Sequence, residues 1–559
     1  MNRGAKVAVS LLAAVWLLVH TQQVSAQKQA GAAAEDKAGS TGTDWPSHGG
    51  TGLAWRYSAL NQINTSNVKK LAPAWMFQTG DYQDGLQSTP IVVDGVLYLS
   101  AFDDVFALDG ATGNLIWQYK YEPLPGFSVG RNFGVAVGDG NVFLGTHDAH
   151  VVALDAKTGK EVWKVAADDA YSCRCSIAAA PLITNHKVIV GEQGPRGRLT
   201  AFDTKTGHLA WRFYTVPGTG EKGNETWPAG DSWKKGGGGI WQTGSFDPDL
   251  NLIYWGTADP SGAWNYQGDT KYSKLYSDSI VALDADTGKL RWYYQEIPHD
   301  VWDEDASWEL LLMDRPVNGK MRKLVVQFSK PGYTFVLDRE SGELLNVYPY
   351  AESNNWVKGI SPKGELIGRN DPVPGKTTKI CPTVGGVKNW NQVAYSPRTD
   401  LVYVPAVEMC NDLTLPPVAA NGEAGGATWV FTAPPGHSTA YSHLDAIEPV
   451  TGKRQWTYPY KFQIFASILT TAGDLMLTGD PEGHFFALDA RSGEQLWNYQ
   501  TGAGNRGSPV TYMVGGRQYI AVPTGMGHVG FYNSGIWPEV SQWRFGSTLV
   551  VFALPEGSK

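Results

Sequence analysis

ALDGATGNLIW at 107–117, ALDAKTGKEVW at 153–163, AFDTKTGHLAW at 201–211 and ALDADTGKLRW at 282–292 are one phrase written four times. VLDRESGELLN at 336–346, AIEPVTGKRQW at 446–456 and ALDARSGEQLW at 487–497 complete a set of seven. Two copies are imperfect: Asn346 stands in place of the Trp, and Glu448 in place of the Asp. Ala-Leu-Asp reads as the end of a strand. Asp-x-x-Thr-Gly reads as a tight turn with the Gly free to take positive φ. The strand that follows carries a Trp inward, where a large flat ring can wedge between neighbouring sheets. Successive copies start 46, 48, 81, 54, 110 and 41 residues apart. About 40–50 residues is one four-stranded sheet of a radial array, so the longer gaps are units with insertions.

These features predict an all-β chain, an eight-bladed β-propeller with tryptophan-docking repeats. The eighth blade is expected from both ends of the chain: VKKLAPAWMFQTG at 68–80 repeats the Trp-bearing strand, and GSTLVVFAL at 546–554 supplies another. Pairing the two ends closes the ring and removes exposed edges. Composition agrees, with 65 Gly, 22 Trp and 18% charged residues among 559. Residues 44–559 read as a single propeller domain.

The N-terminus reads as a secretory signal over residues 1–26. Arg3 and Lys6 precede the apolar stretch Val7–Val19, and Val24-Ser25-Ala26 offers a small-residue cleavage site. An uncleaved anchor is the other reading of the same letters, although the stretch is short for a membrane span. Residues 27–43 are Ala-, Gly- and Thr-rich and are expected to be disordered. No later segment is apolar enough to span a bilayer. The implied location is the periplasm, which permits disulfides among the four cysteines Cys173, Cys175, Cys381 and Cys410. A formal charge of −8, about −10 once Arg3 and Lys6 are removed, gives no support for nucleic-acid binding. No Cys-x-x-Cys-His occurs, so no c-type haem is expected on this chain and electrons would leave to an external acceptor such as a c-type cytochrome.

From Asp44 to about Ala553 the chain resembles the quinoprotein alcohol dehydrogenases. The opening DWPSHGGTGLAWRYSALNQINTSNVKKLAPAW at 44–75 is similar to that of the alcohol and glucose enzymes of this class. The resemblance implies a pyrroloquinoline quinone and a divalent or trivalent metal on the propeller axis, and oxidation of an alcohol or a sugar. A cofactor-free propeller that binds partners would carry the same repeats, because repeats report fold and not chemistry.

The resemblance assigns roles by position. Asp303, in Trp302-Asp303-Glu304-Asp305, matches the base that takes the alcohol proton. A solvated Asp-rich turn would look alike. Asp305 resembles the extra carboxylate of the lanthanide-dependent branch, where calcium enzymes carry a small apolar residue. Glu192, in VIVGEQGPRGRL, and Asp259, in YWGTADPSG, align with two further metal ligands. Glu192, Asp259, Asp303 and Asp305 would surround one Ca²⁺ or lanthanide, and without a cation they would repel one another. Trp241, after a run of four Gly, matches the floor under the quinone, and Lys330 the cation that polarises a quinone oxygen. Asn389 and Trp390 match a cofactor-lining pair. Gln87 stands where the family has a Glu, and Arg131 lies two residues before the position of a quinone-contacting Arg, which is Phe133 here.

Cys381 and Cys410 match a structural disulfide of the methanol-type enzymes, expected to staple a surface excursion. Phe127 and Ser128 replace the adjacent-cysteine pair that stacks on the quinone in most of the family. Cys173 and Cys175 could form a compact disulfide that takes over that role, or a plain loop staple, or remain two idle thiols. The segment 464–475 lacks the family's aromatic-plus-Asn-Gly-Gly contact. Substrate shape is expected from the insertions 212–235 and 350–388, which carry no period.

Overall fold

Each repeat phrase folds in the same way. In the first, the Asp109 carboxylate accepts from the backbone N–H groups of Ala111 and Thr112 and from the Thr112 hydroxyl. Gly113 follows at φ +74°, and the Trp-bearing strand begins at Leu115. The same Asp-centred turn recurs at Asp155, Asp203, Asp338 and Asp489. Glu448 serves in place of Asp, accepting from the N–H groups of Val450 and Thr451.

The repeat Trp packs on the turn of the following repeat. A Cβ on Gly159 would meet the Trp117 ring at 2.6 Å, and one on Gly288 would meet Trp211 at 2.4 Å. The indole N–H of each donates to a carbonyl in that turn: Trp117 to Ala156 at 3.0 Å, Trp163 to Thr204 at 3.1 Å, Trp211 to Ala285 at 3.1 Å, and Trp292 to Arg339 at 3.0 Å. Where Asn346 replaces the Trp, Tyr348 takes the position two residues later. Its ring meets Gly452, and its hydroxyl donates to Pro449 O at 2.9 Å.

The computed structural model describes residues 39–80, 82, 85–260, 272–417, 426–527, 535–543 and 545–557. The expected signal segment 1–26 and residues 27–38 of the stretch expected to be disordered lie outside the described residues. Ser40–Thr41 pairs in parallel with Tyr57–Ser58, so the disorder expected over 27–43 does not hold for these two residues. The chain is a β-propeller. Among the described residues seven sheets have four strands, and a six-stranded sheet ends in the same four-strand meander. One sheet joins both ends of the chain, with Ala72–Gln78 antiparallel to Thr548–Ala553. Arg56, only 1% exposed, ties the N-terminal segment to later meanders. It donates to Ile468 O at 2.7 Å, Pro509 O at 2.7 Å and Gln392 Oε1 at 3.1 Å.

The insertion 350–388 adds two small sheets outside the meanders. Gly359–Ile360 pairs with Leu366–Ile367, and Thr377–Ile380 joins Cys410–Thr414 and Thr428–Thr432. The Cys381–Cys410 disulfide is present, but it does not staple a surface excursion. Both sulfurs are buried, and the loop it closes contains the meander strands Ala394–Ser396 and Leu401–Glu408. Among the described residues no helix is long and apolar enough to cross a membrane.

Candidate functional site

The residues singled out in the sequence fall at one end of the meanders. They lie on connections that enter a first strand or that join a second strand to a third. Asp259 follows the strand Leu252–Gly256, Asp303 lies between Leu290–Gln295 and Leu311–Val317, and Lys330 turns between Lys320–Phe328 and Tyr333–Asp338. Three loops therefore meet, and carboxylate oxygens of Asp259, Asp303 and Asp305 come within 4.8 Å of one another.

Asp305 is the buried centre of the group. One oxygen accepts the Asp259 backbone N–H at 3.0 Å and the other accepts from Lys330 Nζ at 2.8 Å. The Lys330 ammonium also donates to the Asp303 carbonyl and lies 3.5 Å from Asp303 Oδ1. Asp303 sits at φ +66°, a left-handed conformation for a non-glycine residue, with its side chain 24% exposed. Asp300 fixes the turn from inside: its carboxylate accepts the N–H of Trp302 at 2.7 Å and of Glu304 at 2.8 Å.

The electrostatics are those of crowded acids. Burial first, then the charges of Asp303, Asp305 and Asp300, hold Asp259 well above the usual carboxylate range. Burial pushes Asp303 up to about 8, with Asp305 and Asp300 adding to the effect and Lys330 opposing it. Burial alone would lower the Lys330 ammonium, but Asp303, Asp305 and Glu304 outweigh it and hold it well above the ordinary lysine range. Asp278 and Glu304 are two further fully buried acids, and among the described residues neither Glu304 carboxylate oxygen has a hydrogen-bond partner. Two ammonium groups, Lys330 and the part-buried Lys274 that faces Asp300, Asp278 and Asp259, do not balance such a set. A hard cation of high charge would, since it takes carboxylate oxygens as ligands.

Glu192 is placed differently. Its carboxylate accepts from Arg198 Nε at 2.7 Å and from the Thr200 hydroxyl at 2.6 Å, and it lies outside the three-aspartate group. Arg198 also pairs with Asp168 at 2.6 Å and donates to Cys175 Sγ at 3.0 Å. Cys173 and Cys175 are joined by a disulfide. The glycine run packs backbone on backbone between these loops: Gly237 N donates to Pro195 O, and Gly238 N to Asp259 O. Trp241 follows, half-buried, with its N–H on the Ser307 hydroxyl.

The remaining residues lie around the same end. Gln87 and Arg131 line one small cleft with Asn132. Asn389 is held in its own loop by a bond to Gly385 O, at 2.9 Å. Trp390 stacks on Phe465, with ring centroids 5.5 Å apart and planes at 12°, and the Arg506 guanidinium lies 4.7 Å above it. An aromatic contact thus comes from the 464–475 segment without the Asn-Gly-Gly letters. Sequence reading missed Arg198, Asp278 and Arg369. Nothing periodic marks them, and Arg369 acts on a loop some seventy residues away in sequence.

This geometry agrees with a comparison against known proteins. The chain matches the family described as PQQ: glucose/ethanol/alcohol dehydrogenase, β-propeller domain, over residues 45–354 and 460–520. It belongs to that family. It is 38% identical over 526 residues to the quinohemoprotein alcohol dehydrogenase of Comamonas testosteroni, covering 87% of this chain and 73% of the relative. It is 35% identical over 517 residues to the lanthanide-dependent methanol dehydrogenase of Methylacidiphilum fumariolicum, covering 84% and 83%. Its fold superposes on a europium-containing methanol dehydrogenase with a TM-score of 0.85 at 32% identity, covering 92% of this chain and 98% of the other. The chain is therefore an oxidoreductase of the quinoprotein alcohol dehydrogenase type. The site residues of this family member converge from separate loops rather than from one motif.

Proposed function

We propose that this chain is a periplasmic quinoprotein dehydrogenase that oxidises an alcohol by hydride transfer to pyrroloquinoline quinone, on a closed ring of eight blades docked through their tryptophans. The observation that carries the reading is the convergence of Asp259, Asp303 and Asp305 on one point beside Lys330. The donor set fits a hard cation, Ca²⁺ or a lanthanide, and three carboxylates in contact favour the trivalent ion by Coulomb attraction. Glu192 joins this set when Arg198 turns away from it.

When bound, the quinone supplies the hydride acceptor and the metal a Lewis acid. The chain's own residues do the rest. Asp303, whose side chain is partly open to solvent, accepts the proton of the alcohol hydroxyl. Lys330 holds the Asp303 backbone and offers positive charge where negative charge develops. Trp241 forms the flat wall of the cofactor site, with Gln87, Arg131, Asn389 and Trp390 around it. Electrons leave to an external acceptor such as a c-type cytochrome.

The test is reconstitution with pyrroloquinoline quinone and either Ca²⁺ or La³⁺, followed by dye reduction with ethanol and with glucose. The expected result is ethanol oxidation that is stronger with La³⁺ and abolished by Asp303→Asn. No quinone bound under either metal would refute the proposal.

A further inference from the structure

The turn that carries Asp303 is strained in two places. His299 lies at φ +55° and Asp303 at φ +66°. Such backbone conformations are unfavourable for residues other than glycine and persist only when surrounding structure over-determines them. Asp300 grips the turn from within. The outer grip comes from another part of the chain, the 350–388 insertion.

Arg369 of that insertion donates from Nη1 to Pro298 O at 2.8 Å and from Nη2 to His299 O at 2.7 Å. Its guanidinium lies 4.4 Å from the centroid of the Trp302 ring, and its Nε is aimed by Asp371 Oδ1 at 3.0 Å. The next residue continues the grip. Trp302 Nε1 donates to Asn370 O at 3.0 Å, and Asn370 N donates to Trp356 O at 2.7 Å. Trp302 and Trp356 meet edge to face at 5.1 Å. The insertion therefore holds the two carbonyls and the aromatic ring just ahead of Asp303 without touching Asp303. A planar fork suits two adjacent carbonyls under one stacked ring, and a lysine offers a single point charge.

We propose that Arg369 is a positioning residue for Asp303, fixing the strained 298–303 turn so that the Asp303 carboxylate meets those of Asp259 and Asp305. This rests on the reading of Asp303 as the base at a metal site. It also gives the insertion a function besides shaping the pocket.

The experiment compares wild type, Asp303→Asn, Arg369→Gln, Arg369→Lys and Arg369→Gly in full-length protein. Each is assayed with pyrroloquinoline quinone, La³⁺ and ethanol, and separately for Tb³⁺ binding by tryptophan-sensitised luminescence. Loss of an outer-shell partner typically costs 10–100-fold in metal affinity or activity, so Arg369→Gln is expected to lose about that much in both kcat and Tb³⁺ affinity. The KM for ethanol should stay within about threefold, because no ground-state contact to substrate is removed. Arg369→Lys should recover only part of the loss, and added guanidinium should restore kcat in Arg369→Gly. Wild-type kcat and Tb³⁺ affinity in Arg369→Gln overturn the inference. A lowered melting temperature with unchanged kcat per bound quinone overturns it too, since that is a merely structural role. If Asp303→Asn is inactive while Arg369→Gln behaves as wild type, the positioning role alone fails. If wild type shows no ethanol oxidation, the underlying reading fails and this one with it.

Discussion

Replacing Lys330 with Met tests the charge balance of the site directly. The Lys330 side chain is 4% exposed and is 2.8 Å from Asp305 and 3.5 Å from Asp303. Removing one partner of such a buried pair typically costs about 3–5 kcal/mol, because the charge left behind has no compensation. Here the acids left behind are Asp303, Asp305 and the buried Glu304, which places the loss at the upper end of that range. The metal-free variant should therefore melt several degrees below wild type. Lanthanum should narrow the gap. A cation that binds only the folded state stabilises it by about 2.7 kcal/mol at a hundred times its dissociation constant. The variant, lacking a resident competitor for the same carboxylates, should gain more from La³⁺ than wild type does. The assay is thermal unfolding at one scan rate, with chelator and with a La³⁺ titration, on both proteins. Equal La³⁺ shifts in the two proteins would refute the view that Lys330 and the metal share one set of acids.

Other perturbations follow from the same geometry. Arg198→Met should release Glu192 and tighten Tb³⁺ binding by about tenfold, the low end of outer-shell effects, as read by luminescence titration. Trp292→Ala should destabilise the fold by about 3–5 kcal/mol, seen as a lowered unfolding midpoint, because the ring fills the space over Gly342. His443 lies between Asp445 at 2.8 Å and Glu408 at 3.3 Å. Burial would lower it, but these two acids outweigh burial and raise it to about 9 from an ordinary 6.5. A raised histidine stabilises fully below about pH 6.5 and loses that contribution as the pH climbs through about 9. His443→Gln should therefore cost stability at pH 6 and nearly nothing at pH 10, and equal costs at both pH values would count against the assignment.

What was legible in the sequence was whatever is local. The Asp-x-x-Thr-Gly turn is satisfied by hydrogen bonds within four residues, and the Trp that follows docks on the next copy of the same turn. Both signals therefore lie inside one phrase. The Asn346 exception shows where that logic stops, since Tyr348 does the docking from two residues away and no letter inside the phrase announces it. At the site, the letters pointed to Asp259, Asp303, Asp305 and Lys330, and the structure brings these together. Glu192 matched a motif equally well, yet its partner Arg198 lies across a hairpin, and an ion pair of that kind is decided by strand register. The Phe465 stack on Trp390 and the Arg369 grip on the 298–302 turn depend on segments 75 and 67 residues away, as counted from Trp390 and Trp302. Insertions without a period give no local sign of what they touch.

The acids also explain why this end of the propeller is built from crossing loops. Three carboxylates placed on one face of a strand would be spaced about 7 Å apart along it and would not meet at a point. Placed on one loop, they would repel and open it. Here Asp259 and Asp303 stand on different connections, and each connection is fastened by groups outside the acidic set. The glycine run holds the Asp259 backbone, and Asp300 holds the turn before Asp305. Repulsion among the carboxylates is thus resisted by backbone hydrogen bonds that do not depend on a metal. Such a site stays assembled before its cation arrives, and its stored repulsion adds to the affinity for that cation. On this argument, loosening the fasteners should weaken metal binding even when every carboxylate is left in place.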